Sequence, residues 1–256
     1  MGRAEDLQLN GFKVLVTRPL EQATSLLEAI RAHGGVGEAF PLFEIQSSPK
    51  IPAVFDSPTQ LAQFDLIIFV SPNAVKYTWM RLDSLPPGVK VAAIGQVTAA
   101  AIKANGQDLD FVPVDSFDSE ALLALDGLQE LQGQKVLIVR GQSGREHLAE
   151  GLRERGAEVE YAEVYHRLKT KQALTNEQAD VGAIVVSSTE AIKHLAACAQ
   201  RDQQSWVFGK TIVVIHPRIA MHARELGFTL SPVVVEPGHD EGLDYAIIKA
   251  LKSIEK

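Results

Sequence analysis

The chain is predicted to be α/β, with two similar domains, each a parallel sheet flanked by helices. Three observations predict this. Short, nearly continuous apolar runs alternate with amphipathic runs. Glycines close the amphipathic runs. The whole succession occurs twice. Buried parallel strands read as unbroken apolar segments, because both of their faces are covered.

In the first half the strand-like runs are "VLVT" from Val14, "LIIFV" from Leu66 and "VAAI" from Val91. In the second half they are "VLIV" from Val136, "AIVVS" from Ala183 and "IVVI" from Ile212. Apolar spacing predicts helices over about 20–33, 73–82, 97–105, 143–155, 189–200 and 218–226. Gly34, Gly106, Gly156 and Gly227 follow four of them, where a left-handed residue ends a helix. The segments 118–125 and 239–251 read as the last helix of each half.

The duplication is explicit in the residues. Laying Lys135 on Lys13 gives identity at Lys13, Val14, Leu15, Arg18, Leu26, Glu28, Arg31, Gly34 and Glu38. Unrelated stretches of this length would share roughly two positions. "SPNAVK" at 71–76 matches "STEAIK" at 188–193, and "VAAIGQVTAAAIKANG" at 91–106 matches "IVVIHPRIAMHARELG" at 212–227. The matches fall in the same order in both halves. Two copies are too few for a solenoid, so two lobes facing a cleft are expected.

Composition excludes several classes. With 25 basic and 32 acidic residues the net charge is −7, which opposes a nucleic-acid partner. An anionic ligand would need a local site, since the mean field repels it. The single cysteine, Cys198, permits no internal disulfide, and its apolar helix marks it as an inert buried thiol. No apolar run has the length of a membrane span or signal core, so a cytoplasmic protein without membrane contact is expected. There is no GxGxxG after a strand, no GxxxxGK[ST], no HExxH, no EF-hand loop and no GxSxG. The seven histidines show no ligand spacing, so neither metal nor cofactor is expected.

Ligands of open parallel sheets bind beyond the strand carboxyl ends. Here those ends read "TRP", "VSPN", "IGQVT", "VRGQSGR", "VSSTE" and "IHPR". Each is small or hydroxyl-bearing and leads into a helix, so backbone N–H groups and the helix dipole would favour an anion. Candidate ligand-binding residues are therefore Arg18, Ser71, Pro72, Asn73, Gly95, Thr98, Arg140, Gly141, Arg145, Ser187, Ser188 and Arg218. The hydroxyl and amide residues among them are equally suited to plain helix capping. Arg18 and Arg140 hold the same step in the two copies, and recurrence at a strand end points them at a ligand. Arg145 sits in a first helical turn, where a cation is unfavourable unless an anion or a nearby glutamate accompanies it.

These motifs together, "VLVTRP", "SPNAV", "IGQVTAAAIKANG", "VRGQSGREHLAEGLRERGAEVEYAEVYHR" and "DEGL", resemble the uroporphyrinogen-III synthase family over about residues 13–252. The resemblance implies two α/β domains joined by a two-stranded linker. One would comprise 1–39 and 169–256 and the other 46–161, with 40–45 and 162–168 as linkers, offsetting domains from repeats. It implies a cofactor-independent, metal-free cyclising lyase acting on hydroxymethylbilane, a tetrapyrrole polycarboxylate. It further implies a monomer, in transient contact with the preceding pathway enzyme. In that reaction ring A loses hydroxide to give an azafulvene. The substituted carbon of ring D attacks, a spiro intermediate forms, and ring D is inverted. The resemblance places the catalytic tyrosine at Tyr165, whose repeat partner is Phe43. Thr98 matches a threonine the family often carries. Its partner Ile219 breaks that pattern, which leaves Arg218 as the polar group of that turn. The rival reading is a non-catalytic two-lobed binding protein for an anionic metabolite. It has no need of a proton donor at Tyr165.

Overall fold

The computed structural model describes residues 7–50, 52–114, 118–142, 146–235 and 242–255. The chain forms two compact units. One comprises residues 1–44 and 168–256, and the other residues 45–167.

In the first unit, β1 (Lys13–Val16), α1 (Leu20–Ala32) and β2 (Val36–Ala39) open the chain. After the second unit come β8 (Ala183–Val186), α7 (Thr189–Arg201), β9 (Thr211–Val214), α8 (Pro217–Glu225), β10 (Val233–Val234) and α9 (Leu243–Ile254). The sheet order is β10-β9-β8-β1-β2, and its pairings are parallel. The second unit holds β3 (Phe43–Ser47), which begins at the boundary, α2 (Pro58–Leu61), β4 (Leu66–Phe69), α3 (Pro72–Trp79), β5 (Lys90–Ala93) and α4 (Gln96–Ala104). It continues with α5 (Ser119–Leu123), β6 (Lys135–Gly141), α6 (His147–Glu154) and β7 (Glu158–Lys169), in the order β3-β7-β6-β4-β5.

Both sheets are covered on both faces, and strand alternation shows how. Val14 and Val16 of β1 pack with Ala23, Leu26 and Ile30 of α1 and with α9. Leu15 points the other way, into a core with α7 and α8. In the second unit Ile67, Phe69, Leu137 and Val139 meet α3 and α4, whereas Leu66, Ile68, Val136 and Ile138 meet α5 and α6. With both faces buried, no position on these strands can be polar, which produces the continuous apolar runs. Each fully buried Leu, Ile or Val contributes about 1.5–3 kcal/mol. The four helix-closing glycines, at 34, 106, 156 and 227, have φ between +74° and +91°.

The repeat is reproduced to the residue. Lys13 pairs with Val36, and Lys135 with Glu158, the same separation in both copies. The copies are exchanged between the sheets, however. β1 of the first copy, with β2 at its outer edge, pairs with β8 of the second. β6 of the second copy, with β7 on its other side, pairs with β4 of the first. Each unit is thus completed by the other copy's strands.

The segments expected as linkers are packed. Phe40, Leu42 and Phe43 lie in the first unit's core, and Ala162, Val164 and Tyr165 lie in the second's. β7 runs unbroken through 162–168. The helix expected from 143 starts at His147, and 143–145 lie outside the described residues. No helix among the described residues is long and apolar enough to cross a membrane.

Candidate active site

Tyr165 is 9% exposed, in β7 of the second unit. Its position follows from a register shift. Up to Arg140–Glu163, β6 and β7 pair with constant separation; beyond it Gly141 pairs with Tyr165, one residue late. The bulge breaks the two-residue alternation, so Val164 and Tyr165 are buried consecutively. Without it, Tyr165 would face away from the core that Val164 enters.

Three neighbours define the ring's place. Gly141 leaves the space: a Cβ there would stand 2.7 Å from Cε2 and 2.8 Å from Cζ of Tyr165. Tyr77 of α3 stacks on it, with centroids 6.0 Å apart and planes at 26°. Tyr77 is itself tied down, its hydroxyl donating to the Ile45 carbonyl at 2.7 Å. At the ring's tip, the Tyr165 hydroxyl lies 3.1 Å from Ser71 Oγ.

Ser71 is the N-cap of α3, with extended backbone and Oγ accepting from Ala74 N–H at 3.1 Å. Pro72 follows at the first helical position, exposed, and Asn73 is half-buried beside it. Gly95 caps α4 in an extended conformation and is buried. The sequence pointed Thr98 at a ligand. The structure turns it inward at 3% exposure, on the face of α4 that carries Ala99 and Ile102.

The arginines are engaged. Arg140 donates to Glu146 Oε1 at 3.0 Å and to Glu163 Oε1 at 3.5 Å, and its guanidinium lies 3.7 Å from the Tyr161 ring centroid. Tyr161 donates to the other oxygen of Glu146 at 2.5 Å. That hydrogen bond, followed by the Arg140 contact, holds the Glu146 carboxyl below its usual range. Burial, followed by the bond to Glu146, pushes the Tyr161 phenol up. Arg18 of the first unit pairs with Asp244 at the start of α9, at 3.4 Å. Both arginines therefore have carboxylate partners within their own units. The Nε of each is buried without a hydrogen bond to a described residue. Arg145 lies outside the described residues.

The first unit holds the counterpart turns. Ser187 and Ser188 are half-buried, and Ser188 caps α7 with Oγ accepting from Ala191 N–H at 3.1 Å. Arg218 is exposed in the first turn of α8, its backbone N–H donating to His216 Nδ1 at 3.0 Å. Phe43 contacts the His194 ring at 5.5 Å, as Tyr165 contacts Tyr77. Cys198 is buried, 3.7 Å from His194 Nε2, and burial pushes its thiol up. No group of three metal-ligating side chains occurs among the described residues.

Sequence reasoning missed Tyr77, Tyr161 and Glu163, and it set Glu146 beside Arg145, whereas Glu146 accepts from Arg140. Tyr77 reads as ordinary helical core. The repeat carries its only signal: aligning Ser71 with Ser188 sets Tyr77 against His194, and both face the aromatic pair Tyr165 and Phe43.

A duplicated, strand-exchanged α/β protein is thereby defined, with helix starts at the strand carboxyl ends of each sheet and, in the second unit, the Tyr165 phenol against the start of α3. A family model described as "Uroporphyrinogen-III synthase HemD" matches residues 24–241. The chain belongs to the uroporphyrinogen-III synthase family. It is 33% identical over 252 residues to the uroporphyrinogen-III synthase of Salmonella typhimurium strain LT2, covering 94% of this chain and 100% of that one. The Escherichia coli K12 enzyme is 31% identical over 251 residues, again covering 94% and 100%. The fold is shared with the uroporphyrinogen-III synthetase of Helicobacter pylori 26695, at TM-score 0.59 and 16% identity, covering 94% of this chain and 99% of that one.

Proposed function

We propose that the chain is a cyclising lyase that closes hydroxymethylbilane to uroporphyrinogen III with inversion of ring D. The observation that carries this reading is the near-full-length likeness to enzymes of that name, at 33% and 31% identity.

The site chemistry supports it. The substrate's carboxylates need many donors but no neutralising charge, because the same contacts must release the product. The free N–H groups at the starts of α3 and α4 in the second unit, and of α7 in the first, suit that task. Tyr165 is the proton donor. Its proton passes to the ring A hydroxyl oxygen, the C–O bond breaks with its electron pair going to oxygen, and water leaves. The pyrrole nitrogen's electrons fill the vacated carbon, giving the electrophile that ring D attacks. Ring D attacks through its substituted α-carbon to give the spiro intermediate. The bond from that carbon to the methylene shared with ring C then breaks, its electron pair restoring ring D and ring C's nitrogen stabilising the methylene. That methylene bonds the free α-carbon of ring D, whose hydrogen leaves as the proton the tyrosinate recovers, so one water is lost overall. The substrate also closes unaided without inversion, so holding its conformation matters as much as proton transfer. The reading requires no cofactor and no metal, and a single chain suffices.

The test incubates hydroxymethylbilane with the protein in the presence of a chelator and measures the isomers formed. Type III product in large excess over type I is expected. Type I alone, or activity that depends on an added metal, would overturn the reading.

A further inference from the structure

We infer that Ser71 is the positioning residue of Tyr165: it donates its hydroxyl proton to the phenol oxygen, leaving the phenol's own proton free for the substrate. The inference rests on the donor role proposed for Tyr165.

The argument is one of hydrogen-bond capacity. A serine hydroxyl has one proton and two acceptor sites. Ser71 Oγ spends one acceptor site on Ala74 N–H, at 3.1 Å. Its remaining partner is Tyr165 Oη, also at 3.1 Å. If Tyr165 donated to Ser71, the phenol proton would be held inside the unit, unavailable for chemistry. In the opposite sense a directed chain forms, from Ala74 N–H to Ser71 to Tyr165 to ligand. Such chains polarise cooperatively. The tyrosinate left after proton transfer would then accept a hydrogen bond already in place, at no reorganisation cost.

The surrounding packing is built to hold this contact. The bulge at Arg140/Gly141 turns Tyr165 inward. Gly141 leaves the ring its slot, and Tyr77 covers a face. These contacts fix the ring plane but leave the hydroxyl rotor free. Among the described residues, Ser71 supplies the one direct contact that fixes the hydroxyl's direction. Its position is set by the helix cap and not by a flexible stem.

The test is a mutant cycle of Ser71→Ala, Tyr165→Phe and the double variant, with kcat and KM measured separately and folding checked by thermal melting. Ser71→Ala is expected to lower kcat about 10-fold, since misdirected catalytic groups cost up to about 100-fold. KM should stay within about two-fold, because the contact matters in the transition state. Ser71→Thr keeps the hydroxyl and should restore most of kcat. The double variant should be no slower than Tyr165→Phe, because Ser71 acts only through the phenol. If Ser71→Ala folds poorly, Ser71→Gly replaces it, since glycine is tolerated at an N-cap to within a few tenths of a kcal/mol. Equal Ser71 losses with and without the phenol would overturn the positioning role while leaving Tyr165 as donor. Unchanged kcat in both Ser71→Ala and Ser71→Gly would do the same. A fully active Tyr165→Phe would instead reject the donor role itself, and this inference with it.

Discussion

The second unit places Tyr165, Ser71 and Tyr77 together; the first places Phe43, Ser188 and His194 at the repeat-equivalent positions. The capping is the same. Ser71 accepts from Ala74 N–H and Ser188 from Ala191 N–H, each at 3.1 Å. The ring-on-ring contact is also preserved, at 6.0 Å in one and 5.5 Å in the other. Two things differ: the Tyr165 oxygen, which Phe43 lacks, and the ring opposite, tyrosine in one unit and histidine in the other. Duplication keeps the hydroxyl that holds a helix start, because both copies need the cap. Only one copy carries the phenol, as the proposed single proton donor requires. The comparison separates scaffold from chemistry within a single chain.

The largest expected effect removes that oxygen. Tyr165→Phe makes the second unit resemble the first and should lower kcat by about 100-fold, the low end of what a general acid contributes. The ring and its stacking on Tyr77 persist, so the melting temperature should barely move. Full activity with normal melting would mean that the asymmetry between the units is packing and not chemistry.

A smaller effect is expected from Gly141→Ala. The new methyl would lie 2.7 Å from the Tyr165 ring, against a strand that cannot retreat because it pairs on both sides. Overpacking of this kind costs about 1–3 kcal/mol. Adding Tyr165→Ala should recover part of that cost by opening the slot, whereas Tyr165→Phe should not. Calorimetry on the three variants would decide. No destabilisation in Gly141→Ala would show the ring to be loosely held.

Much of the fold was legible because burial writes itself into strands covered on both faces. "LIIF" and "AIVV" are wholly buried and were found. β2, "VGEA", is half exposed at a sheet edge and breaks at a glycine, and β10 has two residues. Neither leaves a run to detect. The exchange of strands between copies cannot be read from periodicity, since both pairings bury the same residues. Among site residues, the turns were legible as helix starts, but the direction of Thr98 depends on where α4 begins. Arg18 and Arg140 looked like ligand contacts because their recurrence was visible. Asp244 lies far from Arg18 and Glu163 well beyond Arg140 in sequence, so those carboxylates were not legible, although Glu146, six residues from Arg140, is the nearer partner.

A capping comparison tests the shared scaffold. Ser71→Ala and Ser188→Ala should each cost about 1 kcal/mol, the usual value of an N-cap hydroxyl. The costs should agree closely, because the geometries do. Turnover should fall further for Ser71→Ala than for Ser188→Ala, since only Ser71 touches a phenol. Denaturant melts give the first quantity and steady-state kinetics the second. A much larger stability loss at Ser71 would mean that its bond to Tyr165 is chiefly structural.

The smallest effect sits in the first unit, where an ionisable ring replaces Tyr77. Burial is the main cause that lowers the His194 pKa below its ordinary 6.5, followed by the nearby positive charges of Lys169 and Arg201. A hydrogen bond to the Thr170 backbone and the charge of Glu190 oppose the shift, and Cys198 stays a neutral thiol on its inner side. The sign follows from proton counting. As pH falls below about 6.5, the unfolded chain binds a proton at this histidine before the folded one does. Stability from His194 is therefore complete above that pH and declines as pH drops towards the folded value. The Phe43 contact needs only a ring, so His194→Phe should keep the packing and remove the titration. Melting temperature of the two proteins, followed from pH 8 to pH 5, should run parallel above about pH 6.5, and below it the wild-type curve should fall relative to the variant's, as the wild type alone loses stability through this group. Curves that stay parallel throughout would show that protonation of His194 does not bear on the first unit's stability, and would remove the second chemical difference between the copies.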